Sequence, residues 1–470
     1  MNRIRDNIDL AIIATPIQTV PMILRACVQK KIHSALIVSD CRRIKGQDRK
    51  NIESEIAGIA YQGHMRLVGP NSLGLINQAA GLNVSYAATM PEPGKMAFVS
   101  QSGSIFTATL DMAFKEHFGF SYFINVGAML DIDFGDLVDY LGNDPSVDSI
   151  LLYIEELKNI RKFMSAARAV SLIKPIVVLR PGMHGKNRWS KKDFQSASYD
   201  AAFKRTGIIS VGSIDELFDC AELMAKQTRP RGRNLVVINN GSAPGSKEID
   251  VMAEYNMDHY SLSDETISRL DKVLPSYWSR KNPINLLSGA GAQDYVETVK
   301  VCLSDKSVNG ILLTMAPQAG AAPSKVAAGL VDAVSGARIP IMASWYGGRD
   351  MAQGIILFNG AGIPTFRTPE KAIRAFSHLL DYQRNRERII DIPAKLNQRL
   401  DFQQGAAQEI MARHRGKEFS RLTIPEVRDL LEAYGIPFVP TRLAHDPEEA
   451  MAVAHAMGYP VAMKLFSRSM

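Results

Sequence analysis

No stretch of this 470-residue chain approaches the ~18 uninterrupted apolar residues of a membrane-spanning helix, so no membrane is implied. The amino-terminal MNRIRDNIDLAI passes straight from charged residues into a strand-like run, without the apolar core and cleavage site of a signal peptide. That points to the cytosol. Cysteine is scarce. Cys27, Cys41, Cys220 and Cys302 make no CxxC pair and no Cys/His pair, which argues against a disulfide scaffold and against a thiolate metal centre. The nine histidines never fall at metal-ligand spacing, and no Gly-x-Ser-x-Gly elbow exists, so metalloenzyme and hydrolase readings are poor. A net charge of +7 raises the question of nucleic acid, but the basic residues are scattered and their densest cluster, Arg229 to Arg233, sits where a linker belongs. No nucleic-acid partner is expected, whereas a small polyanionic ligand suits a mildly basic protein.

The length exceeds what one hydrophobic core serves, so three or four domains are expected. Short β-rich apolar runs alternate with helical patterns from the start: IDLAIIAT, VPMILRACVQKK, SALIVS, then MRLVGPNSLGLI. This alternation predicts an α/β fold with a doubly wound parallel sheet over residues 1–92. A second block, 93–228, opens with KMAFVSQSGS and continues through ILLYIEEL and KPIVVLRPG. After the linker TRPRGR a third, 234–390, opens with NLVVINNGSAPG. A polar stretch over 391–420 reads as a linker. Residues 421–470 start a new module with two helices and a strand, YPVAMKLF, which reads as truncated. The amino terminus also reads as incomplete, because no GxGxxG turn accompanies the first strand.

Chemistry-bearing residues recur at the carboxyl ends of these strands, where ligands of open α/β sheets bind. GPNSLG places Asn71 and Ser72 there, although an ordinary Pro-Asn turn reads the same. SQSGS puts Ser102, Gly103 and Ser104 at a strand-to-helix turn, a ready anion site or a simple serine cap. Glu155 and Glu156 close ILLYIEEL, either as an orienting carboxylate or as a solvated pair. NNGSAPG repeats the same design in the third block.

Taken in order, GPNSLG, KMAFVSQSGS, GAMLDIDFGDLVDYLGNDP, ILLYIEELKNIRKF, KPIVVLRPG, YDAAFKRTGII, NPINL, RTPEKAI and GYPVAMKL resemble the nucleoside-diphosphate-forming acetyl-CoA synthetases, relatives of succinyl-CoA synthetase. The resemblance implies an incomplete CoA-binding Rossmann-like domain, two flavodoxin-like parallel-sheet domains and the start of an ATP-grasp module. It implies coenzyme A or acetyl-CoA as ligand, with ATP and magnesium in the full-length protein, acyl-CoA as partner, and a homo-oligomer. Matched positions make Ala14, Thr15, Pro16, Asn71 and Ser72 the CoA contacts. They make Ser102, Gly103 and Ser104 the phosphate cradle, Glu155 a vestigial orienting carboxylate, and Lys464 a nucleotide contact. No metal ligand is implied. The family's phosphate-carrying histidine lies in a Ser-His-Thr-Gly segment, and the corresponding interval here, GMHGKNRWSKKDFQSAS, has none. His184 stands in it only as a displaced candidate nucleophile. A similar loss marks the large protein lysine acetyltransferases, whose synthetase-like body is fused to a GNAT domain. The expectation on this basis is a regulatory acetyl-CoA-binding body acting on protein lysines through a GNAT domain outside these residues. The alternative is an ADP-forming acetate or acyl-CoA ligase.

Overall fold

The computed structural model describes residues 6–41, 44, 46–115, 118–181, 191–257, 260–317, 322–390, 403–415 and 422–466. They belong to two compact units, Met1–Asp391 and Ile392–Met470.

The first unit carries three sheets. The first is β1 (Ala11–Ile13), β2 (Ser34–Ile37) and β3 (Arg66–Val68), all parallel and in that order. Helices Val20–Gln29 and Gly46–Gln62 make the crossovers that parallel pairing requires. They cover Ala11, Ile13, Ala35, Ile37 and Leu67.

The second sheet contains β4 (Gly74–Asn77), β5 (Leu82–Ser85), β6 (Glu92–Ser100), β7 (Gly119–Asn125), β8 (Ser149–Tyr153), β9 (Ile176–Leu179) and β10 (Ile209–Val211). Its order is β10-β9-β8-β6-β7-β4-β5. The strands from β6 to β10 are parallel, and β4 runs antiparallel to both β5 and β7. Runs such as SILLY and IVVL are buried on both faces, as strands of a helix-covered parallel sheet must be. Ala97, Val99, Ile150 and Val178 supply one core, and Phe98, Leu151 and Val177 the other.

One difference from the sequence grouping stands out. The hairpin of β4 and β5, within the 1–92 block by sequence, is hydrogen-bonded into the second sheet through Leu75, Ile76 and Asn77. Four-residue strands carry too little alternation to say which neighbour they join.

The third sheet holds β11 (Leu235–Asn239), β12 (Ile284–Asn285), β13 (Gly310–Met315) and β14 (Ile341–Trp345), parallel in the order β12-β11-β13-β14. The helix Pro369–Ile390 ties it to the second sheet's layer. The Tyr382 hydroxyl donates to the Ser171 carbonyl at 2.9 Å, and Arg374 pairs with Glu216 at 2.8 Å.

In the second unit, helices Gln404–His414, Ile424–Ala433 and Pro447–Met457 are present. Thr423 and Glu426 form a capping box, and these bonds to Thr423 hold the Glu426 carboxyl down at about 2. The strand expected at YPVAMKLF is not formed. Residues 461–466 have no ladder partner among the described residues, and without one an extended segment is not a strand.

Candidate functional site

The first and second sheets meet along one joint. The chain after β7 runs beside the chain after β3, so the N–H groups of Ala128, Leu130 and Ile132 donate to the carbonyls of Pro70, Gly69 and Leu67 at 2.8, 3.2 and 3.1 Å. The Asp131 carboxylate accepts from Leu67 N–H at 2.8 Å and pairs with Arg66 at 2.9 Å. Gly127 makes this approach possible. Its φ is +59°, and a Cβ there would lie 2.3 Å from the Pro70 carbonyl oxygen.

A cleft of about 480 Å³ opens at this joint, within the usual range for small-molecule sites. Asn71 and Cys41 line it from the carboxyl edge of the first sheet, with Arg49 from helix Gly46–Gln62. Gln101, Ser102, Gly103 and Ser104 line it from the turn after β6, and Glu155 from the end of β8. Five residues singled out in sequence, Asn71, Ser102, Gly103, Ser104 and Glu155, therefore share one cavity. They come together because each follows the carboxyl end of a parallel strand.

The turn after β6 presents a helix start and two serine hydroxyls to the cleft. Ser100 Oγ accepts from Ser102 N–H at 3.1 Å and donates to the Ser102 carbonyl at 2.7 Å, closing the turn. The helix Gly103–Lys115 follows, with Phe106 N–H bonded to the Ser102 carbonyl at 3.0 Å. Its first-turn N–H groups have no intrahelical acceptors and carry the positive end of the helix dipole. The Ser102 and Ser104 hydroxyls lie 3.1 Å apart beside them. Gly103 leaves room, since a Cβ there would meet Leu73 Cδ1 at 2.6 Å.

Gln101 organises the adjoining wall. Its Oε1 accepts from the N–H groups of Glu155 and Glu156 at 3.0 and 2.9 Å, which fixes the loop carrying Glu155 at the cleft. Arg49 supplies positive charge, with Nε bonded to Glu53 at 2.7 Å. Burial, then the Glu53 charge, pushes the Cys41 thiol up to about 11 against the opposing pull of Arg49. It stays protonated near neutral pH and is a poor nucleophile. Among the described lining residues there is no histidine.

The remaining sequence candidates lie elsewhere. Ala14, Thr15 and Pro16 follow β1 and are exposed at the same sheet edge, outside the cleft lining. Thr15 connects to Asn71 through Ser39, whose hydroxyl donates to the Thr15 carbonyl at 2.5 Å and whose carbonyl accepts from Asn71 N–H at 2.9 Å. Ser72 is fully buried in the joint, donating to the Asn125 carbonyl at 2.5 Å and accepting from Gly74 N–H at 2.9 Å. Lys464 is exposed in the second unit. His184 lies outside the described residues. Sequence reasoning missed Arg49, Cys41 and Gln101 as lining residues. Gln101 had a signal, standing inside SQSGS directly after a strand, whereas Arg49 on a polar helix had none.

A family model of the succinyl-CoA ligase-like flavodoxin domain matches residues 93–224, and a model of the ATP-grasp domain matches 412–470. Acetate–CoA ligase [ADP-forming] I of Archaeoglobus fulgidus is 31% identical over 473 residues, which is 99% of this chain and 67% of that protein. The α subunit of acetate–CoA ligase [ADP-forming] II of Pyrococcus furiosus is 31% identical over 395 residues, 82% of this chain and 86% of the subunit. A solved structure of dinucleotide-forming acetyl-coenzyme A synthetase 1 from Ca. Korarchaeum cryptofilum, in complex with phosphate and ADP, superposes with a TM-score of 0.76 at 27% identity, covering 84% of this chain and 87% of that one. These relatives are ligases, and they overturn the expectation of a regulatory acetyltransferase body acting on protein lysines. The absence of one short segment weighs less than identity spread along almost the whole chain.

Proposed function

Because this chain belongs to the nucleoside-diphosphate-forming acetyl-CoA synthetase and succinyl-CoA ligase-like family, we propose that it is the acyl-CoA- and phosphate-binding body of an ADP-forming acid–thiol ligase. The observation that carries this reading is the convergence of Asn71, the first turn of helix Gly103–Lys115 and Glu155 in one cleft between the first two sheets. In the direction of ATP formation, a phosphate oxygen attacks the thioester carbonyl, the C–S bond breaks, and the thiolate takes up a proton. The products are an acyl phosphate and CoA. Free N–H groups at the helix start and the Ser102 and Ser104 hydroxyls would hold the phosphate oxygens, with Arg49 adding charge. Asn71, whose φ of +58° turns it at the edge of the first sheet, would contact the CoA side.

Transfer of the phosphoryl group onward to ADP would use a carrier, and His184, displaced from the family's segment, is the candidate within that interval. Lys464 is the corresponding candidate for nucleotide contact in the ATP-grasp segment. Magnesium would accompany the nucleotide, not this cleft, whose lining offers Glu155 as its single carboxylate among the described residues.

The test is phosphate-dependent release of free thiol from acetyl-CoA and longer acyl-CoAs, read with a thiol reagent. No release above the phosphate-free rate with any acyl-CoA would sink the reading. Labelled ATP with magnesium addresses the carrier. Acid-labile label lost in His184→Ala assigns the step to His184, and no label confines this chain to exchange between acyl-CoA and acyl phosphate.

A further inference from the structure

The third sheet ends in a row of polar side chains that the cleft does not use. Val237, Leu312 and Met342 are cross-strand neighbours facing the apolar cluster under helices Ser242–Glu254 and Pro369–Ile390. Two residues further along the same face, at the carboxyl edge, stand Asn239, Thr314 and Ser344. Their exposures are 1%, 1% and 0%. Over them lies Glu248, itself 0% exposed. Asn239 Nδ2 donates to Glu248 Oε2 at 2.9 Å and Thr314 Oγ1 donates to Glu248 Oε1 at 2.9 Å. A second carboxylate comes from Glu370 in the first turn of helix Pro369–Ile390, and its charge acts on Glu248 and on the Tyr346 phenol.

This cluster is not balanced. No lysine or arginine pairs with Glu248 or Glu370 among the described residues. Asn239 Oδ1, Ser344 Oγ and Glu370 Oε2 are buried without a hydrogen-bond partner among them. Burial raises the Glu248 carboxyl, its two hydrogen bonds lower it, and Glu370 raises it further. Burial, then Glu370 and Glu248, pushes the Tyr346 phenol up to about 12. Buried carboxylates are tolerated when neutralised or coordinated. A proton on Glu248 adds one donor and leaves most of these oxygens unanswered. A cation answers several at once. The donor set is entirely oxygen, from an amide, two hydroxyls and a carboxylate, with the charge of Glu370 nearby, which suits alkali and alkaline-earth cations over zinc or copper.

We propose that Asn239, Thr314 and Ser344, together with Glu248, form a binding site for a hard, oxygen-seeking cation at the carboxyl edge of the third sheet. The site would set the turn that starts helix Ser242–Glu254, because Asn239 is both a proposed ligand and the last residue of β11. It is independent of the acyl-CoA cleft, and neither proposal falls with the other.

The experiment uses the full chain, stripped with a chelator and exchanged into tetramethylammonium chloride. Melting temperature is then followed while K⁺, Na⁺, Ca²⁺ or Mg²⁺ replaces the organic cation at constant ionic strength. One inorganic cation should raise the melting temperature saturably, and the monovalent and divalent arms identify its charge. Glu248→Gln, close in shape but uncharged, should weaken the half-saturating concentration at least tenfold. Should that variant fail to fold, Ser344→Ala, which removes a single ligand atom, should weaken it severalfold. Identical curves for all cations and tetramethylammonium in the wild type would overturn the site and leave Glu248 as a neutral buried acid. A response that survives both substitutions would place the cation elsewhere and overturn it equally.

Discussion

Gln101→Glu tests the cleft most sharply, because the side chains match in shape and the sign of the charge is all that is added. Both residues present an Oε1 that accepts from the N–H groups of Glu155 and Glu156, so the loop should keep its place. Stability should change little, since each hydrogen bond is worth about 1 kcal/mol and the new acceptor is the stronger one. Ligand binding should not survive. A carboxylate about 6 Å from a bound phosphate at an effective dielectric of about 20 costs ~3 kcal/mol, on the order of 100-fold in affinity. Gln101→Leu separates the two effects. It deletes the acceptor for two N–H groups, costs at most about 2 kcal/mol because water reaches that loop, and loosens Glu155 without adding charge. Calorimetric titration of inorganic phosphate at low salt, paired with thermal unfolding, reads both quantities. Equal phosphate affinity in Gln101→Glu and wild type, with melting temperatures unchanged, would mean that no anion binds beside Gln101 and that the helix start is only a turn. Added salt should narrow the difference, as for any partly exposed charge pair.

Gly127→Ala should lower stability by about 2–4 kcal/mol and abolish phosphate-dependent thiol release, since the new Cβ meets backbone of residues 70 and 71 and the left-handed φ adds strain; a soluble variant with wild-type denaturation midpoint would refute it. Asp219 is raised to about 6, by burial first, opposed by Lys371 and raised again by Asp215 and Glu222. A carboxyl whose folded pKa lies above its unfolded value favours folding while protonated, so its contribution is lost as pH rises from about 4 to about 6. Asp219→Asn should therefore gain at most about 3 kcal/mol at pH 8 and nothing at pH 4, and urea denaturation with the opposite ordering would contradict the burial argument. Tyr382→Phe removes the hydroxyl bonded to the Ser171 carbonyl and should cost about 1–2 kcal/mol in the same assay; no measurable loss would show that water replaces the bond.

The sheets were legible because parallel strands covered on both faces read as uninterrupted apolar runs, and SILLY, IVVL, LVVIN and GILLTM are unmistakable in that respect. Where the pattern thins, so does legibility. The β4–β5 hairpin joins the second sheet through three pairs with β7, a long-range choice that nothing in GLIN or LNVS encodes. Half of the cleft followed from a single topological rule, that the carboxyl ends of parallel strands converge on a ligand. That rule found Asn71, Ser102 and Glu155 without any distance being known. It could not find Arg49, which reaches the cleft from the first turn of a helix whose polar face looks merely solvated. Nor could it tell Asn71 from Ser72. The two are adjacent, yet Asn71 lines the cleft while the Ser72 hydroxyl closes the joint by bonding Asn125 and Gly74. The backbone turns at Asn71, whose φ is +58°, and only the partner segment determines which of the two side chains faces inward. The same reasoning explains Glu248. On its own helix it reads as one more surface acid, and its carboxylate is held by Asn239 and Thr314 on two strands, the latter 66 residues distant in sequence. Residues whose role is fixed by a neighbour far along the chain are the ones a single sequence conceals, and here they include both the Ser72 hydroxyl that closes the joint and the buried acid of the third sheet.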